Sequence, residues 1–512
     1  MKPTVFLAFV IFCLGFSTSI NPQSKKITKT FFPDFEVEIN TPAFKKDKGF
    51  TTYDELITFL SNAKEKHANT VSIFYIGESQ KGKQIPMVVL NKNGEEKRLK
   101  VWIQGGLHGD EPASTEGVLF LIDQLLNNQE YTYLLDKLEI GIIPMANIDG
   151  YEKQDRYAAN GLDLNRDQTK LMVHESVPLK QAFTNFGAHV AVDFHEYRPY
   201  RKDFAQMSDF GITSRYDVMF LYTGNLNVPQ NLRELTANTF VKNASQAMDA
   251  KGIVSHDYIN TTKVLGDIHF NQGSDNARSS ATNYALTNAI SSLIEVRGVG
   301  IGRTSFNRRV YTTFLVAESY LKTSYNTIDK VKQAIEIAEK EQNELVVQSK
   351  KHVSKQPIKA IDLASCKEIE LEVTVRDALK SSALLSRKRP VAYLIDKTET
   401  ALIEKLRVLG VQVTELQNAK TIEVETYQVT DYLRQAEKYE GVNMQEISTR
   451  LELKQQQFEA GTFVVYLNQR RSNLAAEVLE PEAPNSFVSF EVLPTELGAQ
   501  LPIYRYLKQE KL

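Results

Sequence analysis

The chain has 512 residues, 42% hydrophobic and 24% charged, with 61 Lys plus Arg against 63 Asp plus Glu. That length is several times what one compact core needs and predicts two to three domains, which excludes a single small binding module; the ordinary composition excludes wholesale disorder and a fibrous repeat. A formal charge of -2 supplies no global basic field, so nucleic acid is not an expected partner.

At the start of the chain, Lys2, the apolar run from Val5 to Phe16 and the small polar Ser17, Thr18 and Ser19 have the grammar of a signal peptide over residues 1–20. The run is shorter than the ~20 apolar residues that cross a bilayer, and no later segment approaches that length. A secreted or periplasmic protein, with no stable membrane insertion after cleavage, is expected. Cys13 follows Phe12, where a lipid-attachment signal wants a small residue, so lipidation is not expected. Its removal with the signal leaves Cys366 alone, without a partner for an intramolecular disulfide.

Residues 50–67 read as a helix, and 71–76, 85–90 and 101–104 as strands separated by turns at Gly77, Gly82 and Gly94. Helix-like 114–126, strand-like 138–144 and 190–195, helical 231–251 and a strand before Glu295 continue an alternation that predicts an α/β sheet with helices on its faces. Residues 326–350 carry the pattern of a long polar helix closing a first domain over 50–350. From 358 to 512 charge increases and short alternating strands such as 368–375 appear. Residues 390–416 then give strand, helix and strand, with Gly410 where a C-cap glycine belongs. This predicts a smaller α+β C-terminal domain, in which no glycine-rich phosphate loop points to a nucleotide.

The chemistry concentrates in four segments. V-W-I-Q-G-G-L-H-G-D-E-P-A-S, from Val101 to Ser114, is a buried strand ending in two glycines that presents His108 and Glu111 at a metal-ligand spacing before a helix. Imidazole and carboxylate suit zinc, and a catalytic zinc keeps three protein ligands and an open position. V-A-V-D-F-H-E-Y, from Val190 to Tyr197, ends an apolar strand in Asp193, His195 and Glu196, and His195 is the expected third ligand. Between them, residues 147–167 carry Arg156 and Arg166 in a turn-rich stretch, two guanidinium forks suited to a carboxylate and an oxyanion. In S-S-L-I-E-V-R-G-V-G-I-G, from Ser291 to Gly302, Glu295 interrupts an apolar strand, where a carboxylate is costly unless paired or functional. Such a glutamate can take a proton from an attacking water and pass it to a leaving amine. Pairing with Arg297 is not expected, on the reading that the two side chains leave opposite faces of the strand.

The order His108, Glu111, Arg156, Asn165-Arg166, His195, Glu295 resembles the zinc carboxypeptidase family, the carboxypeptidase A-like metallopeptidases, over roughly residues 50–325. The resemblance implies a mixed eight-stranded sheet flanked by helices, and Zn2+ held by His108, Glu111 and His195. It implies Glu295 as the general base acting on a zinc-bound water, and Arg156 polarising the scissile carbonyl. Asn165 and Arg166 would then hold the terminal carboxylate of a peptide or peptide-like substrate, and Asp163 would orient His108. The expected activity is hydrolysis of C-terminal peptide bonds. An amidase or deacylase acting on cell-wall peptides or acyl-amino acids, and a non-catalytic peptide binder on the same fold, are the alternatives.

Departures from the family pattern are informative. Asp110 stands where digestive members often carry Arg, so contacts upstream of the scissile bond differ in sign. Near Gly273-Ser274, where a mobile tyrosine normally precedes the turn, His269 and Phe270 occur instead; Tyr258 and Tyr284 are the candidate substitutes. Asp275 or Asn276 falls in the expected specificity pocket, and an Asp there favours a basic side chain. The segments Ala460 to Gln469, Leu474 to Glu482 and Pro502 to Tyr506 resemble the tail of a bacterial branch of these peptidases. Beyond residue 350 the only histidine is His352, so packing, gating or partner contact is expected of the tail rather than chemistry. Oligomeric state is not readable from the sequence, and the sequons at Asn243 and Asn260 decide nothing.

Overall fold

The structure, a computed structural model, describes residues 23–92 and 98–512; the expected signal peptide lies outside the described residues. At its centre is an eight-stranded mixed sheet. The strand order is Val71–Glu78, Gln84–Leu90, Leu138–Ile143, Leu99–Gln104, Val190–Tyr197, Ile290–Arg297, Val218–Leu221 and Ser255–Asp257. The middle four, from Leu138–Ile143 to Ile290–Arg297, run parallel, and Gln84–Leu90 and Val218–Leu221 pair antiparallel with them. Every residue of Val190–Tyr197 is buried, so both of its faces are covered, which is why this strand reads as a continuous apolar run rather than an alternation.

Helices supply that cover. Helix Tyr53–Lys66 starts where Thr52 and Glu55 form a reciprocal capping box, satisfying two end donors at once. Trp102 packs edge-on against Phe183 of helix Ser176–Phe186, with ring centroids 5.5 Å apart. Helices Pro112–Asn127 and Phe306–Asn326 press together at Gly117, where a β-carbon would sit 2.3 Å from Thr313, so any side chain there forces the pair apart.

Residues 326–350 are not one helix. Phe306–Asn326 is followed by Ile328–Glu339, and a strand begins at Leu345 and runs to Asp362. Leu345 and Val347 are buried while Val346 and Gln348 are half-buried, a period of two that the Lys, Glu and Gln content obscures. The expected division near residue 350 therefore falls within a strand. Leu345–Asp362 and Lys367–Arg387 form a long hairpin that joins a five-stranded sheet. Its order is Ile212–Ser214, Leu345–Asp362, Lys367–Arg387, Asp267–Gln272, Ile259–Val264. The rest of the chain builds a six-stranded sheet with helices Thr400–Val408 and Ser472–Leu479, an α+β unit as expected, with Gly410 at a φ of +78° just past the first helix.

Candidate active site

The strand Leu99–Gln104 delivers its chain to a turn that presents His108 and Glu111, and Pro112 then occupies the first helical position, where its missing N–H costs nothing. Gly109 is required inside this turn, because a β-carbon would lie 2.1 Å from the Gly150 carbonyl carbon. That close approach seats the turn on helix Ile148–Lys153, whose chain continues to Arg156. On the neighbouring strand His195 stands in register with Glu295 of Ile290–Arg297, so both side chains leave the same face of the sheet.

His108, Glu111 and His195 are all buried, and one ligand atom from each lies within 4.8 Å of the others. Nδ1 of His108 is 2.8 Å from Glu111 Oε1, and Nδ1 of His195 is 2.8 Å from Glu111 Oε2 and 3.0 Å from Nδ1 of His108. The opposite nitrogens are held by carboxylates: His108 Nε2 by Asp163 Oδ1 and His195 Nε2 by Asp193 Oδ2, each at 3.0 Å. With protons on those Nε2 atoms, the two Nδ1 lone pairs face one another beside a carboxylate, with Arg156 Nη1 3.1 Å from His108 Nδ1, an arrangement suited to holding a cation. Two imidazoles and one glutamate are an established donor set for a catalytic zinc, so the residues fit the metal.

The surrounding charges are ordered around this point. Arg156 bonds Asp163 through Nε at 3.0 Å and approaches Glu111 Oε1 at 3.4 Å. Burial works against ionising Asp163, but His108 and Arg156 outweigh it and hold the carboxyl well below the usual range. Glu196, the third polar residue ending its strand, has a different use: it accepts from Ala113 N at 2.9 Å and from Arg309 Nε at 2.7 Å, locking the strand end to two helices. Glu295 has a buried Oε2 with no hydrogen-bond partner, and burial, then neighbouring Glu111, push its carboxyl up to about 7. Arg297 does not pair with it, though not because the faces differ: residues two apart on a strand share a face. Its guanidinium is instead spent on Gln23, Thr213 and Ser214.

These groups open on a cleft of about 910 Å³ whose lining includes His108, Arg156, Asn165, Arg166, Asp275 and Glu295. Asn165 Oδ1 accepts from Ser280 N at 2.8 Å, and Arg166 donates one bond to the Asn165 carbonyl at 2.8 Å. Asp275 Oδ2 accepts from Ser349 Oγ at 3.2 Å, and Lys351 on the same strand also lines the cleft. Asp110 lines it too, with an unpartnered Oδ1 and a carboxyl raised by burial and then by Glu111.

Of the two tyrosine candidates, only Tyr258 reaches this cleft, where Asn260 Nδ2 donates to its hydroxyl at 3.3 Å. Tyr284 is a core residue, stacked on Phe183 at 4.0 Å and bonded to Gln104, so it cannot substitute. Sequence reasoning left Asp193 without a role and did not assign Ser349 or Lys351 to the cleft. For Asp193 the signal was present, since a residue two before His195 on a strand shares its face; for the other two, far along the chain, there was none.

Comparison with known proteins gives a consistent result. A family model described as "Zinc carboxypeptidase" matches residues 56–262. "Carboxypeptidase 2" of Trichophyton rubrum is 30% identical over 444 residues, covering 84% of this chain and 81% of that protein. "Carboxypeptidase M" of Mus musculus is 31% identical over 125 residues, 21% of this chain and 28% of that protein. The crystal structure of a carboxypeptidase A from Helicoverpa armigera superposes with a TM-score of 0.43 at 17% identity, over 56% of this chain and 78% of the other. The Carboxypeptidase 2 proteins that cover 84% of this chain come from the fungi Trichophyton rubrum and Trichophyton tonsurans, so the expected likeness of the tail to a bacterial branch is not supported.

Proposed function

Because the chain belongs to the zinc carboxypeptidase family, we propose that it releases C-terminal residues from peptides, with Glu295 as the general base. The observation that carries this reading is the convergence of the His108, Glu111 and His195 ligand atoms beside a cleft that His108, Arg156 and Glu295, with an unpartnered carboxylate oxygen, line together. Zinc held by the three ligands would supply Lewis-acid polarisation of the attacking water and of the scissile carbonyl.

The protein's own groups do the rest. Asn165 and Arg166 bind the terminal carboxylate, which selects the last peptide bond and orients it. Arg156, held by Asp163, directs its remaining donors at the carbonyl oxygen as that oxygen gains charge. Glu295 removes the proton from the attacking water and returns it to the leaving nitrogen, and Asp193 and Asp163 hold the imidazoles in the tautomer that binds metal. Asp275 on the cleft wall favours a basic released side chain, and Tyr258 stands where it can close over the substrate. The N-terminal residues 1–20 direct export and are removed; no helix among the described residues is long and apolar enough to cross a membrane. The catalytic unit of residues 50–350 and the accessory unit of 358–512 share the hairpin Leu345–Asp362 and Lys367–Arg387 at their junction.

Arg166→Ala tests the terminal-carboxylate role. It is expected to raise KM about 10- to 100-fold for free-acid peptides with a smaller change in kcat, and to abolish discrimination against the same peptides carrying a C-terminal amide. Unchanged KM for free acids would remove the role from Arg166.

A further inference from the structure

The hairpin Lys420–Arg434 and Gln445–Phe458 has its tip at residues 435–444. A β-carbon at Gly441 would lie 3.3 Å from Leu162, so the tip is seated on the segment that follows Arg156. Beside it, Glu440 stands 3.0 Å from Lys170 Nζ and also accepts a hydrogen bond from Arg278. The Lys170 and Arg278 side chains are only 3% and 8% exposed, and Glu440 14%. Cations buried so deeply require a counter-charge, and among the described residues no other carboxylate forms an ion pair with either. Phe490 lies against both, 5.1 Å from Lys170 Nζ and 4.5 Å from the Arg278 guanidinium carbon.

The two cations belong to the two segments that make the substrate-carboxylate end of the cleft. Lys170 follows Asn165 and Arg166, and Arg278 lies between Asn276 and Ser280. These segments touch directly, with Gln168 N donating to the Arg278 carbonyl at 3.3 Å and Ser280 N to Asn165 Oδ1 at 2.8 Å. We propose that Glu440 is a positioning residue for the substrate carboxylate: by bridging Lys170 and Arg278 it fixes the loop of Asn165 and Arg166 against the turn of Asp275 and Asn276. The proposal rests on the reading that Asn165 and Arg166 take the terminal carboxylate. It gives the C-terminal hairpin a part in substrate binding although it contributes no group to the chemistry.

The test uses the full-length, zinc-loaded enzyme and its best free-acid peptide. Glu440→Gln, which removes the charge and keeps the shape, is expected to raise KM about tenfold with kcat within about twofold, and Glu440→Asp to recover part of that loss. Should Glu440→Gln not fold, Lys170→Met removes one cation, leaves Glu440 paired with Arg278, and is expected to raise KM about threefold. Arg166→Ala is run in parallel. If Arg166→Ala leaves KM unchanged, the carboxylate reading fails and the proposal with it. If Arg166→Ala raises KM while the folded Glu440 or Lys170 variant does not, the proposal alone is overturned. A lowered thermal midpoint with unchanged KM makes the bridge purely structural and likewise overturns it.

Discussion

Glu295→Gln is expected to lower kcat about 10³- to 10⁴-fold while zinc content and KM stay near wild type. The substitution keeps size and burial but removes the acceptor of the water proton. Its effect falls on kcat because Glu295 makes no hydrogen bond to any of the three ligand residues and lines the cleft with one oxygen left unpartnered. The same group sets the pH profile. A carboxyl pushed up to about 7 by burial and by Glu111 is ionised above that value and protonated below it, so kcat/KM falls on the acid side. The charge of bound zinc favours the carboxylate and draws the value down, which places the acid limb between the ordinary carboxylate range and about 7. A pH profile of the wild type locates that limb, and a Glu295→Gln enzyme with near-normal kcat would exclude the role.

His195→Ala is expected to give a protein that loses its zinc on dialysis and has no measurable peptidase activity. Only His108 and Glu111 would remain as ligands, one short of the three a catalytic zinc keeps. Asp193→Asn is milder: the ring stays, but its tautomer is no longer fixed by a carboxylate at 3.0 Å, and zinc affinity is expected to fall about 10- to 100-fold. Zinc binding should also weaken on acidification. Burial opposes protonation of His195, yet Asp193 and Glu111 outweigh it and hold its pKa well above the ordinary value, so protons compete with metal as pH falls. Metal content and chelator competition at about pH 7.5 and about pH 5.5 measure all three effects.

Much of the site was legible because its residues break local rules. His108 and Glu111 close an apolar strand at a ligand spacing, His195 ends another, and Glu295 interrupts a third; the register pairing of His195 with Glu295 then brings distant segments to one face. What was not legible depended on long-range placement. Tyr258 and Tyr284 are equivalent in the sequence, and only packing separates a cleft residue from one stacked on Phe183. Lys351 reaches the cleft, Ser349 its Asp275, and Glu440 the cations Lys170 and Arg278, from hairpins whose pairing carries no local signature there. The helix expected over 326–350 illustrates the converse. Its polar composition resembles an exposed helix, but strand Leu345–Asp362 is held by pairing with Lys367–Arg387 along nearly its whole length, and that tertiary pairing overrides local preference.

The most direct measurement of the central claim is mass-spectrometric product analysis of a diverse peptide library, using free-acid and C-terminally amidated forms, with zinc-loaded wild type and Glu295→Gln prepared in parallel. Stepwise loss of single C-terminal residues from the free acids, enriched for basic residues and absent with Glu295→Gln, is the predicted result. Internal cleavage, release of acyl groups in place of amino acids, or no cleavage by fully zinc-loaded protein would contradict it.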